Sequence, residues 1–363
     1  MIPASLYHTI YLILVTIMTL FLYSQYHNRN GYNEFKPTQN RVVGVVIVAF
    51  FIIFIGFRPV SYQYFGDMGN YASWYSTFFE GSRFNFDPNA ENRIFDNLFA
   101  WWGAERLGVT SFFGFIALIY FGAAYMGIRK LFPYHKVAAY VVFLAAFSTF
   151  SYATNGIKAG AAASLFIMAL GYRDNLKVCI PLILISWGFH HSMLMPVAAF
   201  VITLFIKNPK IYFIGWVFCF LMAAAHVTSF QHLFAGATTE HGANYLLTEG
   251  GNEGTKGGFR IDFIIYSAMP VIIGWYAVFR KKLQISDMYK NLLNLYLCLN
   301  GTWMLCMYVN FTNRIAYLSW FLYPIVLIYP FLHEKWGINR YKMFGLVMLG
   351  HLGFTLFMNI LYY

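Results

Sequence analysis

The chain has 363 residues, of which 59% are hydrophobic and only 11% are charged, and its formal net charge is +11. A soluble domain is usually about 25% charged, so this composition excludes an ordinary soluble protein and indicates a protein embedded in lipid. Most of the cations lie in loops beside apolar stretches, where membrane orientation and anionic headgroups account for them. We therefore expect a lipid bilayer as partner and no nucleic acid.

Apolar stretches alternate with short polar connections, and at roughly 20 residues per crossing they predict about twelve transmembrane helices. Two places are short, 159–172 and the pair around Trp187–Met195, so one or two helices should be tilted, broken or re-entrant. We predict an all-α fold, a polytopic transmembrane helix bundle in which residues 1–363 form a single integral membrane domain. The predicted crossings lie near 5–24, 42–57, 110–127, 137–153, 159–172, 178–190, 192–206, 211–226, 261–279, 291–308, 315–332 and 343–361.

Charge is segregated between the two sets of connections. Seventeen of the 25 Lys and Arg residues follow every second apolar stretch, whereas ten of the 14 acids lie in the other set. Short cytoplasmic loops retain cations, so the basic set should face the cytoplasm and, for an even count, both termini should lie outside. The cations left on the outer side are Arg58, Arg83, Arg93, Arg106, Lys158, Lys256, Arg260 and Arg314.

Two long connections are predicted on the outer side, at 58–110 and 227–260. The second half of the first places large apolar side chains on one side of a helix, which is typical of a helix lying in the headgroup layer. These side chains are Ile94, Leu98, Trp101 and Trp102. The second connection is Gly-rich but is not a phosphate loop, because no Gly-Lys-Ser/Thr follows.

The densest polar cluster follows the second predicted crossing. Arg58 ends that crossing and Pro59 stops the helix from continuing. Tyr71 and Tyr75 follow Asp67 at helical spacing, so the three can share one face. The alternative is that Arg58 caps a helix and reaches the headgroups, with Asp67 solvated or paired to it. For the cluster as a whole we favour a functional site.

A second cluster lies in residues 151–160. Asn155 and Lys158 are spaced to line one helix face, while Gly156 and Gly160 form a small-xxx-small pair. The alternative is close helix packing with a lysine that reaches the surface. Packing explains the glycines, but it does not explain a cation on the face opposite the basic loops.

His190 and His191 form the third cluster. Adjacent residues on a helix point about 100° apart, so the pair cannot easily bind one metal ion. No further ligand stands at the right spacing, and the four cysteines lie within apolar stretches, so we predict no metal site. A neutral imidazole could act as base or hydrogen-bond donor; the alternative is an interfacial His at a helix end.

Arg314 opens a late crossing on the outer side. A cation within hydrocarbon costs about 2.5–3.5 kcal/mol even on the gentlest scale, so Arg314 should lie at the interface or face a wet, anionic cavity. Arg260 and Asp262, which begin another crossing, are interpreted as a local ion pair and headgroup anchor.

The predicted topology places Arg58, Lys158 and Arg314 at one membrane depth, with Asp67 and His190 as the groups able to accept a proton. Cations around a diphosphate leaving group and one base are what inverting transfer of a sugar from a lipid diphosphate requires. Such a reaction needs no nucleotide donor, no cofactor and no obligatory metal.

The motif order resembles the EpsG family of bacterial polysaccharide polymerases, which are similar in role to Wzy proteins. The motifs are GFR…GDMGNY, then NGIK, then FHHS, then NRIAY, and they span most of the chain. The resemblance aligns Arg58, Asp67 and Tyr71 with an early motif, Asn155 with a central Asn-x-x-Arg-Gln, His190 with Phe-His-x-Ser and Arg314 with a late Arg. Lys158 stands where the central motif has Arg, which keeps the charge but loses the bidentate fork.

The resemblance implies a GT-C-like glycosyltransferase that polymerises oligosaccharide repeat units carried on undecaprenyl diphosphate. It would lie in the bacterial cytoplasmic membrane with its active site facing the exterior, and a chain-length regulator would be a possible partner protein. Asp67, His190, Arg58 and Arg314 would be catalytic, with Asp67 the favoured base and His190 the other candidate. The implied substrate-binding residues are Lys158, Asn155, Tyr71, Tyr75 and His191. The alternatives are a ligase that uses the same lipid carrier and a flippase or transporter.

Overall fold

The computed structural model describes residues 2–29, 41–231 and 258–362, and within these ranges every regular element is a helix. This confirms the predicted all-α class. Lys36, Lys256 and most of the predicted connection 227–260 lie outside the described residues. The helices are α1 Tyr7–His27, α2 Arg41–Gly56, α3 Tyr62–Phe65, α4 Asp67–Trp74, α5 Arg93–Ala104, α6 Val109–Leu131, α7 Lys136–Leu144, α8 Phe147–Thr154, α9 Ile157–Gly171, α10 Leu176–Phe189, α11 Leu194–Phe205, α12 Pro209–Ala224, α13 Ile261–Trp275, α14 Asp287–Leu305, α15 Thr312–Trp320, α16 Tyr323–Leu332 and α17 Arg340–Tyr362.

Long apolar helices make this chain a multi-pass membrane protein. Five helical segments are long and apolar enough to cross a membrane, and α7 with α8 would make a sixth if the bent pair is one span. Each predicted crossing contains a helix, but several of these helices are shorter than a full span. The described residues therefore confirm five or six span-capable segments and not the predicted count of about twelve. The five are Ala4–His27, Val109–Leu131, Ile261–Arg280, Thr312–Leu332 and Arg340–Leu361.

The stretch 137–153, predicted as one helix, is instead two helices with a bend of 73° after Leu144. A break exposes the last carbonyls of the first helix, and unsatisfied backbone groups in lipid cost several kcal/mol. Two neighbouring helices supply the missing donors. Tyr11 of α1 donates its hydroxyl to Leu144 O at 2.6 Å, and Thr355 of α17 donates to Ala145 O at 2.7 Å.

The two places expected to be irregular differ from each other. Residues 159–172 fall almost entirely within the continuous helix α9. Around Trp187–Met195 the chain does leave the helix, because His190 is extended (φ −152°, ψ 119°) before a short 3-10 turn. The expected irregularity is therefore confirmed at the second place only.

The chain divides into two compact units, Met1–Leu194 with Gly337–Tyr363 and Met195–Trp336. In the first unit α6 packs on α2 and α9, and α10 packs on α9 and α5. The approach of α6 to α9 depends on Gly127, where a Cβ atom would lie 2.5 Å from the carbonyl oxygen of Ile167. In the second unit α14 packs against α12, α15 and α16 around buried Trp303 and Trp320.

Helix α5 forms within the connection 58–110, as predicted. Phe95 and Phe99 bury its inner face, whereas Ile94 and Trp101 remain exposed on the predicted apolar side. Trp102, predicted for the exposed side, packs inward against Phe112 at 5.7 Å between ring centroids. An inner aromatic face and an outer apolar face suit a helix that lies in the headgroup layer, and that placement stays a prediction.

Candidate functional site

Arg58 lies deep in the first unit, only 2% exposed, just beyond the end of α2. Its Nη1 donates to the carbonyl oxygen of Ile55 at 2.7 Å, and its Nη2 donates to that of Thr154 at 2.6 Å. These carbonyls belong to the last turns of α2 and α8, which lack intrahelical donors. Arg58 therefore caps two helices at once, and it does so within the protein interior and not among headgroups.

The charge of Arg58 has no acidic partner among the described residues. Its guanidinium lies 5.1 Å from the ring centre of Phe65 and 5.7 Å from that of Phe113, and its Nε is buried without a hydrogen bond. A buried charge without a counter-ion is costly, which indicates that this position serves more than packing.

Asp67 and Asn155, predicted in separate clusters, are in direct contact. The backbone N–H of Asp67 donates to Asn155 Oδ1 at 2.7 Å. Gly66 permits this contact: its φ is +49°, and a Cβ atom there would lie 2.5 Å from the same oxygen. The half-buried Asp67 carboxylate makes no hydrogen bond or ion pair within the described ranges. Its oxygens can therefore accept a proton or a hydrogen bond from a substrate.

Lys158, in the first turn of α9, carries a charge that is already matched. Its Nζ lies 2.5 Å from Asp96 Oδ1 of α5, and the two side chains are 20% and 33% exposed. The ammonium also lies 4.9 Å from the ring centre of Phe95 and 5.7 Å from that of Tyr71. Asp96 was not singled out from the sequence, because the pair joins residues 62 positions apart.

Tyr71 and Tyr75 are buried, and both rings pack on Phe99. The hydroxyl of Tyr75 accepts a hydrogen bond from Gly108 N at 2.8 Å and donates to Trp102 O at 3.4 Å. In this arrangement the two tyrosines hold the connection 58–110 to the helix bundle. Their predicted contact with sugar rings stays a prediction.

His190 and His191 do not diverge as the sequence analysis assumed. Because the chain is extended at His190 rather than helical, the two rings stack, 5.3 Å apart with an interplanar angle of 14°. The premise of a 100° divergence was therefore wrong. Ser192 contacts His190 Nδ1 through its Oγ at 2.6 Å. Within the described ranges no group of three or more His, Cys, Asp or Glu side chains is placed to hold a metal ion.

His191 attaches the start of α5 to the end of α10. Its backbone N–H donates to Asn92 Oδ1 at 3.1 Å, and its Nδ1 lies 3.4 Å from Glu91 Oε1. Asn92 is buried. Neither acceptor was singled out from the sequence, because a loop residue at a separation of 99 positions leaves no local signal.

Arg314 lies in the second unit, exposed in the first turn of α15. Its guanidinium lies 4.9 Å from the ring centre of Phe311, and it makes no ion pair with any residue that the structure describes. The predicted Arg260–Asp262 pair is confirmed, with two hydrogen bonds of 3.0 and 2.8 Å. The convergence of Arg314 with the cluster of the first unit stays a prediction.

In the first unit the predicted residues thus form one connected network at the ends of α2, α4, α9 and α10. Comparison with known proteins gives one family: the model of the EpsG family matches residues 41–362. The matched region contains every candidate site residue. No curated protein and no solved structure matches the chain.

Proposed function

Because the chain belongs to the EpsG family, we propose that it polymerises oligosaccharide repeat units carried on undecaprenyl diphosphate. The reaction is an inverting glycosyl transfer at the outer face of the bacterial cytoplasmic membrane. The observation that carries the proposal is the hydrogen bond between Asp67 and Asn155. It joins two motifs 88 positions apart and leaves the carboxylate of Asp67 without a partner among the described residues.

In the proposed reaction, a hydroxyl oxygen of a newly arrived repeat unit attacks the anomeric carbon of the growing chain. The bond between that carbon and the phosphate oxygen breaks, and undecaprenyl diphosphate leaves with the electron pair. The hydroxyl proton passes to a base, for which Asp67 is favoured because a carboxylate is ionised at neutral pH. The lipid diphosphate bond supplies the energy, so no nucleotide takes part.

The three cations Arg314, Lys158 and Arg58 have different proposed roles. Arg314 is exposed and without a counter-ion among the described residues, so it is available to a diphosphate. Lys158 can contribute when a diphosphate competes with Asp96 for its ammonium. Arg58 acts mainly by positioning Asn155 and not by contact with the diphosphate. Its guanidinium donates to the carbonyl oxygen of Thr154, the residue next to Asn155.

The proposal also includes the number of membrane crossings, a partner protein and the placement of α5. We propose about twelve crossings in a GT-C-like arrangement. A chain-length regulator is the proposed partner protein. The exposed apolar face of α5 would lie among the outer headgroups, beside the lipid-linked substrate.

The experiment is replacement of Arg314 by Ala in cells whose polymer depends on this chain. Loss of the cation removes charge stabilisation at the leaving group, which is typically worth about 10²–10³ in rate. Long polymer should disappear while single repeat units on the lipid carrier accumulate. The matched control is Arg93→Ala, because Arg93 is also an exposed outer cation. Long polymer at wild-type level in the Arg314 variant contradicts the role proposed for Arg314.

A further inference from the structure

Helix α14 carries three asparagines into the interior of the second unit. It has 19 residues, yet it is not among the segments that are apolar enough to cross a membrane. Asn291, Asn294 and Asn300 are 6%, 0% and 0% exposed. A buried amide needs a partner for its oxygen as well as for its nitrogen, because an unsatisfied polar group in the interior is costly. The three side chains differ in whether they have both partners.

Asn300 has a partner at each end of its amide. Its Nδ2 donates to Ser319 Oγ at 3.1 Å, and its Oδ1 accepts the indole N–H of Trp216 at 2.9 Å. These partners lie on α15 and α12, so Asn300 joins three helices without a further ligand. It is therefore a reference for the other two asparagines of the same helix.

The amides of Asn291 and Asn294 are held by their nitrogens alone. Asn291 Nδ2 donates to Thr203 Oγ1 at 2.6 Å, and Asn294 Nδ2 donates to the carbonyl oxygen of Lys207 at 3.2 Å. Neither Oδ1 receives a hydrogen bond from any residue that the structure describes. Turning the Asn294 amide over would place two oxygens against each other, and the Thr203 hydroxyl already donates to the carbonyl oxygen of Phe200 at 2.7 Å. The acceptors opposite the two nitrogens thus fix both orientations.

The two unpartnered oxygens belong to residues three positions apart on α14, a spacing at which Cβ atoms lie about 5–6 Å from each other. Both amide nitrogens are directed to the same part of the unit, because Thr203 belongs to α11 and Lys207 follows shortly after its last residue, Phe205. A water molecule that donates at about 2.8 Å to each of two acceptors joins oxygens about 4.5 Å apart. One water is therefore compatible with this spacing.

We infer that a water molecule lies between α11 and α14 and donates one hydrogen each to Asn291 Oδ1 and Asn294 Oδ1. Two buried acceptors need a ligand with two donor hydrogens, which water supplies. A metal cation needs more oxygen ligands, and within the described ranges no carboxylate bonds to either asparagine. Water has a path to this place, because the connection 206–208 is exposed. The inference goes beyond the proposed function and does not depend on it.

Water-edited solid-state NMR of the full-length protein in a lipid bilayer tests the inference. In protein labelled with nitrogen-15 asparagine, magnetisation passes from water to the side-chain amides that contact it. The amides of Asn291 and Asn294 should receive this magnetisation, whereas the amide of Asn300 should not. Transfer to Asn291 and Asn294 as weak as transfer to Asn300 overturns the inference, because all three amides are buried.

A substitution tests whether one water serves both oxygens. Asn294→Leu removes one of the two acceptors, so the water should leave and the transfer to Asn291 should be lost. The matched control is Thr302→Val, which removes a hydroxyl that bonds only within α14, to the carbonyl oxygen of Cys298. This control should leave the transfer to Asn291 unchanged. Transfer to Asn291 that survives Asn294→Leu overturns the shared water.

A crystal structure at a resolution that shows ordered water gives a second readout. Density should lie within about 2.7–3.2 Å of both oxygens. It should carry no anomalous signal after the crystals are soaked in thallium(I), which replaces potassium. A thallium signal there would identify a monovalent cation and contradict the inference, and so would the absence of density between the two side chains.

Discussion

The sequence around Arg58 allows two roles for this residue, and only the folded structure distinguishes them. An arginine that follows an apolar stretch and precedes a proline can cap the helix or bind an anion, and the sequence is the same in both cases. The structure places its guanidinium between Ile55 O and Thr154 O. Because the next residue, Asn155, holds the backbone of Asp67, the cap also fixes the position of the candidate base.

Replacement of Arg58 by Ala should therefore lower stability and elongation together. The change leaves two buried carbonyls without donors, and hydrogen bonds from a charged group contribute about 1.5–3 kcal/mol each. The thermal unfolding midpoint in detergent measures the loss, and Arg58→Lys should be intermediate because Lys lacks the fork. The control Arg93→Ala should leave the midpoint unchanged. A stable Arg58→Ala protein with no elongation would instead indicate direct contact with substrate.

The residues of the candidate site were predictable in type, but their partners were not. Asp67, Asn155 and His190 were identified from motif order and from the placement of charge. Asp96 and Glu91 were not, because their partners Lys158 and His191 are distant in sequence. A single sequence contains no signal for such pairs.

At the level of elements, α5 is attached to the bundle at two polar points. Asp96 pairs with Lys158 in the first turn of α9, and Asn92 accepts from His191 after α10. Both attachments use residues that the sequence analysis assigned to substrate binding. Side chains of the connection 58–110 thus bond to Lys158 and His191, the same residues that the proposed diphosphate substrate would contact.

We predict that Asp96→Asn loosens α5 without unfolding the bundle. A partly exposed pair contributes only about 1 kcal/mol, so hydrogen exchange should quicken in α5 while α6 and α9 stay protected. The charge swap Asp96→Lys with Lys158→Asp should restore the protection of α5. If Lys158 also binds diphosphate, the swap should not restore elongation. Full recovery of both the protection of α5 and elongation would mean that Lys158 serves only to attach α5 to the bundle.

The bend between α7 and α8 gives a second prediction for this scale. Tyr11→Phe removes the donor to Leu144 O, and leaving that buried carbonyl unsatisfied should cost about 1–3 kcal/mol. The unfolding midpoint should fall, whereas the control Tyr64→Phe, at an exposed ring, should not change it. An unchanged midpoint for Tyr11→Phe would show that the break needs no donor from α1.

Every predicted crossing contains a helix because an apolar stretch in lipid must satisfy its backbone hydrogen bonds internally, which favours a helix. The break after Leu144 was not predicted, since neither Gly nor Pro interrupts the residues around it. It depends on Tyr11 and Thr355, which lie 133 and 210 positions from the carbonyls that they bond. Tertiary partners of this kind override a continuous apolar pattern.

For the whole molecule, the segregation of charge predicts which ends of the helices face the cytoplasm. Arg83 belongs to the outer set and Lys210 to the inner set, and both are exposed. A cysteine at position 83 should react with a membrane-impermeant maleimide in intact spheroplasts. A cysteine at position 210 should react only after permeabilisation. The native cysteines are buried or half-buried, which keeps the background low. Reversed labelling would place the Asp67 cluster on the cytoplasmic side.

The most direct test of the proposed polymerase is elongation by the purified protein in a lipid bilayer. The reaction contains a defined lipid-diphosphate repeat unit and no nucleotide. Wild type and the control Glu105→Gln, at an exposed outer acid, should each give a ladder of products that differ by one repeat unit. Asp67→Asn, which keeps the backbone contact but removes the carboxylate, should give none. No ladder from wild type, or an equal ladder from the Asp67 variant, would contradict the account.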